Sequence, residues 1–545
     1  MQTPFPNQPP PFEGCNPFDV DCALREAVER TDPAATSTLR EWGAVLGSAD
    51  THALAAEANR NAPILRTYDR SGERIDEVQF HPAWHALMSL AARAGEHCSP
   101  WQRDHPTSHA LRAARYYLHA QVENGTQCPL TMTYASVPVL QRHSSGIPGA
   151  WLARTIVADY DPRALPIEQK RAALIGMGMT ERQGGSDVRA NRTTAELTPE
   201  GTARLTGHKW FFSAPQCDAH LVLAQAPQGL SCFLVPRLLD DGSRNAIRIN
   251  RLKDKLGNRS NASSEVEFDD AHAWPIGPEG RGVATIIEMV QHTRLDCVIG
   301  SAGMMRGALA LAIHNATHRV AFGRRLRDQP LMRNVLADLA LESEAALALA
   351  MRLARCLDTP ADHSDRAFAR LAIPAAKYWV CKRACGVVGE AMEALGGNGY
   401  VEEHPMPRLY REAPVNSIWE GSGNVIALDV ARAAEREPAA VAALTADIDA
   451  LRGGNRWLDA AAARLKEMLA GPTDPSDTRR LAQLIATVIA GAELLRYAPP
   501  AVADGYCASR LGDETFGGAA YGTLAHGIDL GSIVTRAFPE QDSLA

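Results

Sequence analysis

Aromatic side chains are scarce in this 545-residue sequence, with Phe, Trp and Tyr making up only 6% of it. Ala and Leu are abundant instead, so helices should dominate. Positive charge is also in deficit. Lys and Arg number 56 against 63 Asp and Glu, a formal net charge of −7. That excludes bulk attraction to nucleic acid or to an acidic membrane and leaves open only a local basic patch. The eleven cysteines form no C-x-x-C pair, and Cys381 and Cys385 stand one helical turn apart, which is not zinc-knuckle spacing. Scattered buried thiols in a reducing compartment are the expectation. No stretch approaches the roughly 20 apolar residues of a membrane span. Met1 to Gly14, rich in Pro, Phe and Asn, lacks the basic start and apolar run of a signal peptide. A cytoplasmic protein with no membrane partner is expected. There is no repeat of 20–50 residues, and no G-x-G-x-x-G follows a strand, which excludes a Rossmann reading.

A chain of this length exceeds one hydrophobic core, so three or four domains are expected. Residues 1–175 read as an irregular arm, to about residue 30, followed by a helical domain. Residues 176–275 read as a small β domain. Its short β-branched or alternating runs are Ala203–Leu205, Lys209–Ser213, Leu221–Ala224, Cys232–Val235, Ala246–Ile249 and Ser264–Phe268, separated by turn residues. Residues 276–440 carry long helical segments, Val283–Ile313, Leu331–Leu357 and Asp365–Ala394, apolar on more than one face. Such helices are buried by one another, which points to a four-helix bundle. Residues 441–545 add a helical extension, broken at 471–475, with a Gly-rich, loose tail from Gly512. The expected fold class is mostly α with a small β-barrel or sandwich.

Five segments can carry chemistry. In Met177-Gly178-Met179-Thr180-Glu181-Arg182-Gln183-Gly184-Gly185-Ser186-Asp187, glycines permit close backbone approach and Thr180 and Ser186 offer hydroxyls, as suits a flat heterocycle with a phosphate. A plain Gly-rich turn is equally compatible. In Gly207-His208-Lys209-Trp210-Phe211-Phe212-Ser213, alternating faces put one aromatic where it can stack on a ring, although core packing explains an isolated cluster as well. Arg319-Val320-Ala321-Phe322-Gly323-Arg324 with Gln329 offers forked donors for a pyrophosphate or simply a solvated basic loop. Glu393 to Tyr400 ends a helix in glycines, Gly396 and Gly397 among them, that let backbone lie against a dinucleotide. Finally, Val415 to Asn424 sets a single carboxylate, Glu420, between an apolar stretch and a Gly-Ser-Gly turn. An apolar setting makes an ionised carboxylate a stronger proton acceptor. Alone, it reads as a surface residue near a helix start. His81 and His85 lie one helical turn apart, but with no third ligand they are core or surface histidines rather than a metal site.

Taken together, in order and spacing, these segments resemble the acyl-CoA dehydrogenase superfamily over roughly residues 110–430. Two supporting stretches match as well: Lys255 to Ser260 with Val266-Glu267-Phe268, and Gly280-Arg281-Gly282 leading to Thr293-Arg294. The resemblance narrows to its bacterial alkylation-response flavoproteins through Arg251 to Ser263, Pro414 to Asn424, Phe80 to His85 and the extra C-terminal block.

The resemblance implies FAD as cofactor, lying between the β domain and the bundle, and a homotetramer in which a neighbour helps hold the diphosphate. By position, Thr180 and Ser186 contact the flavin and its phosphates, with Met177, Met179 and Gly185 beside them. Phe211 and Ser213 line the isoalloxazine, and Phe212 beside them joins the cofactor-binding set. Arg319 and Phe322 serve a neighbouring subunit's FAD, and Gln329, Gly396, Gly397, Ile418, Trp419, Gly421, Ser422 and Asn424 complete the cofactor-binding set. Glu420 is the implied base for weak α,β-dehydrogenation of a short or branched acyl-CoA, its backbone N–H and a ribityl hydroxyl stabilising the thioester oxygen. The alternative implied by the same branch is a protein that associates with double-stranded DNA and protects against alkylating agents, with vestigial dehydrogenase chemistry. Arg432 is the candidate DNA contact. Residues 441–545 hold nine Lys and Arg against thirteen Asp and Glu, a net −4, the wrong sign for tracking phosphates.

Overall fold

The computed structural model describes residues 7–102, 108–143, 145–359, 362–471, 474–512 and 520–539. It opens with α1 (Cys22–Thr31), α2 (Thr36–Gly47), α3 (Ala49–Arg60), a hairpin of β1 (Ile64–Tyr68) and β2 (Arg74–Gln79), then α4 (Pro82–Arg93), α5 (His109–Ala120), α6 (Gln127–His143) and α7 (Ala150–Thr155). Seven strands follow: β3 (Ile175–Gly178), β4 (Thr194–Leu197), β5 (Ala203–Ser213), β6 (Ala219–Ala226), β7 (Gly229–Pro236), β8 (Ile247–Leu252) and β9 (Ser263–Ile276). Next come α8 (Gly282–His318), a small hairpin of β10 (Val320–Ala321) and β11 (Arg324–Arg325), α9 (Pro330–Asp358), α10 (His363–Ala394), α11 (Met406–Glu412) and α12 (Gly423–Arg436). The C-terminal stretch holds α13 (Pro438–Asp449), α14 (Arg456–Leu469), α15 (Thr478–Tyr497), α16 (Pro500–Tyr506) and α17 (Leu530–Ala537). Two compact units result. One is built from Ala53–Thr107 and Glu123–Thr293, the other from Met1–His52, Ser108–Val122 and Arg294–Ala545.

The seven strands β3 to β9 of the first unit close on themselves. β4, β5, β9, β7 and β6 pair in that order and β6 returns to β4, while β3 and β8 add at β6 and β9. Closure leaves few free edges, and the interior is filled by Leu205, Phe212, Val222, Phe233, Val235, Val266 and Phe268. The two runs Ala203–Leu205 and Lys209–Ser213 are one strand. Gly207 separates them in the sequence because its φ of +152° and the approach of Thr193, whose Cα would lie 2.6 Å from an added Cβ, exclude a side chain. β3, β4 and the β1–β2 hairpin were not foreseen; β3 and β4 are only four residues long, and β3 is buried throughout rather than alternating.

In the second unit α10 is surrounded by α9, α12, α13 and α15, which accounts for its apolar residues on every side. The expectation that no segment could span a membrane needs correcting. α8 is long and apolar enough by composition, and 94% of its most apolar window is buried within the protein. The N-terminal arm is not irregular throughout, since α1 forms and packs on α5 and α9 of its own chain. The tail is not loose where it is described. Gly522 N donates to Asp338 Oδ2 (2.9 Å), Asn334 and Leu524 exchange two hydrogen bonds, and Arg536 of α17 bridges Glu26 (2.6 Å) and Glu344 (2.9 Å).

The C-terminal stretch is fastened by buried charge. Arg510 donates to Asp338 and, at 2.5 Å, to Glu342 of α9, which also receives Arg383 of α10 at 2.9 Å. Burial opposes ionisation of Glu342, and the guanidiniums of Arg510 and Arg383 outweigh it, holding its carboxyl below the usual range. Breaking such a cluster from one side strands a buried charge. Arg510→Ala should therefore destabilise the protein by about 3–5 kcal/mol, measured as a fall in the urea midpoint; an unmoved midpoint would show the carboxylates are satisfied without it.

Candidate active site

The Gly-rich segment of the β unit is built around a buried ion pair. Lys209 Nζ lies 2.7 Å from Glu181 Oε1, and both side chains are fully enclosed. Glu181 also accepts from Arg192 N (2.7 Å), Thr193 N (3.1 Å) and Thr193 Oγ1 (2.7 Å). Burial pushes its carboxyl up, but these donors outweigh burial and bring it to about 2. Burial pulls the Lys209 ammonium down to about 8, with Glu181 opposing. Glu181 of the loop and Lys209 of β5, neither chosen as a site residue from sequence, thus lock the 179–187 loop onto β5. Trp210 N donating to Thr180 O (2.8 Å) is the adjoining backbone link.

Exposure within that loop is graded. Met177 is buried, Met179 and Thr180 are half-buried, and Gly185 and Ser186 are exposed. Gly185 is required by Thr180, whose Oγ1 would stand 2.4 Å from an added Cβ. An exposed hydroxyl beside a glycine-rich backbone is a donor set that fits an anionic group such as a diphosphate.

Across β5 a bulge decides which aromatic faces out. Lys209 pairs with Val266 and Phe212 with Ser264, three steps on one strand against two on the other. Lys209 and Phe212 can therefore both point inward while Trp210 and Phe211 turn out. Phe211 is 52% exposed, with Lys253 Nζ 4.6 Å from its ring centroid. Phe212, placed with the cofactor set from sequence, is 1% exposed, stacks on His220 at 4.0 Å and leaves Gly178 no room for a side chain. It is a core residue. Ser213 ends β5 half-buried.

In the helical unit, residues 415–422 form the turn that presents Glu420. The turn is tied to α8 through Trp419 Nε1, which donates to Asn416 Oδ1 (2.9 Å), and Asn416 Nδ2, which donates to Ser301 Oγ (3.1 Å). Glu420 sits at φ +58° and Gly421 at +105°. A left-handed non-glycine residue costs on the order of 1–3 kcal/mol and persists only where its surroundings impose it. They do so here through three successive carbonyls. Lys377 Nζ of α10 donates to Trp419 O (2.8 Å) and Gly421 O (2.5 Å), and Arg294 Nε of α8 donates to Glu420 O (3.1 Å). Arg294 Nη1 also pairs with Asp429 (2.7 Å), which Arg370 reaches at 3.2 Å. Burial raises the Asp429 carboxyl, and these guanidiniums outweigh it and hold it below the usual range. Sequence reasoning missed Lys377 altogether and used Arg294 only as supporting context.

The other predicted residues of this unit fall around the turn or apart from it. Ile418 is 65% exposed, Trp419 half-buried, and Ser422 precedes α12. Asn424 Oδ1 accepts from Arg479 of α15 (2.8 Å). Gly396, at φ +63°, terminates α10 in the left-handed conformation, and open space surrounds it and Gly397. Arg319 precedes the β10–β11 hairpin, Phe322 stands at its tip 98% exposed, and Gln329 Nε2 donates to Ala321 O (3.0 Å). Arg432 is exposed and faces Asp429 at 3.9 Å, so Arg294, Arg370 and Arg432 converge on an acid rather than form a free basic patch. His81 caps α4, and His85 Nδ1 lies 2.9 Å from Tyr160 Oη. No group of three or more metal-ligating side chains occurs among the described residues.

Comparison with known proteins gives matches along most of the chain. Residues 7–162 match the family described as Adaptive response protein AidB N-terminal domain, 176–271 match Acyl-CoA dehydrogenase, middle domain, and 280–435 match Acyl-CoA dehydrogenase, C-terminal domain. The chain is similar to "Putative acyl-CoA dehydrogenase AidB" of Escherichia coli (strain K12), 49% identical over 94% of each chain. It is 30% identical to "Acyl-CoA dehydrogenase family member 11" of Caenorhabditis elegans, over 83% of this chain and 76% of that one. A crystal structure of Caenorhabditis elegans ACDH-11 in complex with C11-CoA superposes with TM-score 0.83 and 27% identity, covering 99% of this chain and 93% of the other.

The loop anchor has a pH signature. Glu181 has its folded carboxyl depressed, so its contribution to stability is present above the unfolded carboxyl value and lost as pH falls through about 4 toward about 2. Glu181→Gln should be less stable than the parent at pH 7, and the gap between their urea midpoints should close over that acid range. A gap that is constant with pH would remove the ion pair from this role.

Proposed function

Because this chain belongs to the acyl-CoA dehydrogenase family, in the branch that carries the AidB N-terminal domain, we propose that it is an FAD-dependent oxidoreductase that introduces a Cα–Cβ double bond into an acyl-CoA thioester, with Glu420 as the base. The observation that carries this reading is the turn itself. The turn that carries the Glu420 carboxylate, at positive φ, is fixed through its backbone carbonyls by two buried cations, at the position the resemblance gives to the base.

The residues present suit the cofactor. Thr180, Ser186 and the glycines of the 179–187 loop offer donors and close backbone approach, and Phe211 offers an exposed aromatic face. Met177, Met179, Gly185, Ser213, Gly396, Gly397 and Asn424 remain in the proposed set on family position. When bound, FAD supplies the acceptor for the hydride that leaves the β-carbon. The protein's own share is to hold the thioester, take the α-proton on the Glu420 carboxylate and stabilise the charge that develops on the thioester oxygen. A backbone N–H directed at that oxygen contributes a few kcal/mol in a site from which water is excluded, and the Glu420 N–H takes this part.

A relative seen with C11-CoA supports the thioester class; a short or branched chain is the proposed preference here. Arg319 and Phe322 are assigned to a second copy's cofactor in a homotetramer, supported by the near-complete exposure of Phe322, and Gln329 stays in the cofactor-binding set. The adaptive-response branch supports a role in protection from alkylation. Double-stranded DNA as partner has weaker support, because Arg496, Arg510 and Arg536 of the C-terminal stretch are spent on ion pairs.

Glu420→Gln should keep its yellow flavin and lose its reduction by acyl-CoA, with the anaerobic bleaching rate down about 10²–10⁴-fold. Bleaching at the parental rate would remove Glu420 from the role. A protein that cannot take up FAD would overturn the reading as a whole.

A further inference from the structure

Lys377 lies within α10 and is 1% exposed. A buried ammonium is costly unless its charge is met. Here it is met by peptide dipoles, the carbonyls of Trp419 and Gly421, which flank Glu420 on either side. Arg294 holds the carbonyl between them and divides its charge with Asp429. Lys377 and Arg294 thus both hold this turn.

Peptide planarity extends its reach. The carbonyl of Trp419 and the N–H of Glu420 belong to one trans peptide unit, and the two point in opposite directions. Fixing the first on Lys377 Nζ fixes the direction of the second. A cation on the carbonyl also polarises the unit and makes its N–H a stronger donor. The same ammonium holds Gly421 O, so the backbone on both sides of the Glu420 side chain is set by one group.

We propose that Lys377 is a positioning residue of the dehydrogenation: through the Trp419–Glu420 peptide it orients the Glu420 carboxylate and strengthens the Glu420 N–H as donor to the thioester oxygen. The inference rests on the dehydrogenase reading for its catalytic part, while its structural part stands apart from any activity. Losing the charge should cost chemistry more than binding, since the donor is called on most as charge develops on the oxygen.

The test compares Lys377→Met and Lys377→Arg with the parent, each as FAD-loaded protein. One readout is hydrogen exchange of the 415–425 segment, which needs no substrate. Exchange there should rise about tenfold in Lys377→Met and stay at the parental level in Lys377→Arg, with the β-unit segments unchanged in both. The second readout is steady-state oxidation of an acyl-CoA that bleaches the parent. There kcat should fall about 100-fold in Lys377→Met with KM within about threefold, and Lys377→Arg should recover most of it. If the Met variant does not accumulate folded, Lys377→Gln, which keeps a neutral donor, takes its place. Parental exchange together with parental kcat in the charge-loss variant would overturn the proposal. So would a rise in KM alone. If the parent bleaches with no thioester, the dehydrogenase reading fails by itself, and the exchange readout still decides whether Lys377 holds the turn.

Discussion

Three consecutive carbonyl oxygens, those of Trp419, Glu420 and Gly421, turn toward two buried cations, and the placement of the carboxylate between them follows from that constraint. Without the cations the three dipoles would oppose one another and a left-handed Glu420 would carry its strain uncompensated. With them, the helices that supply Lys377 and Arg294 become the support of the turn. Packing in this unit therefore serves the site directly. α10 is wrapped by α9, α12, α13 and α15, so the Lys377 ammonium cannot relax toward water and has to be satisfied where it stands.

Buried charge recurs as the fastening device elsewhere. Lys209 and Glu181 tie the glycine loop to β5, and Arg510 with Arg383 ties the C-terminal stretch to α9 through Asp338 and Glu342. Each joins segments far apart in the chain, and each is expensive to break from one side. The same economy bears on partners. Arg496, Arg510 and Arg536 of the C-terminal stretch are paired with carboxylates inside the fold, in a block whose net charge of −4 already disfavours phosphate.

The helices were legible because apolar spacing is a local signal. Segments read as Val283–Ile313, Leu331–Leu357 and Asp365–Ala394 emerge as α8, α9 and α10 with their ends moved by a few residues. The barrel was legible from its turns, although Gly207 divided one strand in two because its reason, the approach of Thr193, is tertiary. Phe212 was misjudged for a related cause. Simple alternation cannot foresee a bulge, and only the partner strand reveals that Lys209 and Phe212 face the same way. Lys377 gave no signal at all, since a lysine in a helix reads as a solvated residue until the fold closes over it. The tail misled through its glycines, because its anchors, Asp338 and Glu344, lie nearly 200 positions away.

The central claim is that Glu420 is held in place to move a proton, and proton movement can be watched without waiting for the hydride. The direct measurement is deuterium entry at the α-carbon of an acyl-CoA kept anaerobically in heavy water with the flavin-loaded protein, followed by nuclear magnetic resonance. The account predicts exchange well above the spontaneous rate in the parent and spontaneous exchange alone in Glu420→Gln. Equal exchange in the two proteins would contradict it.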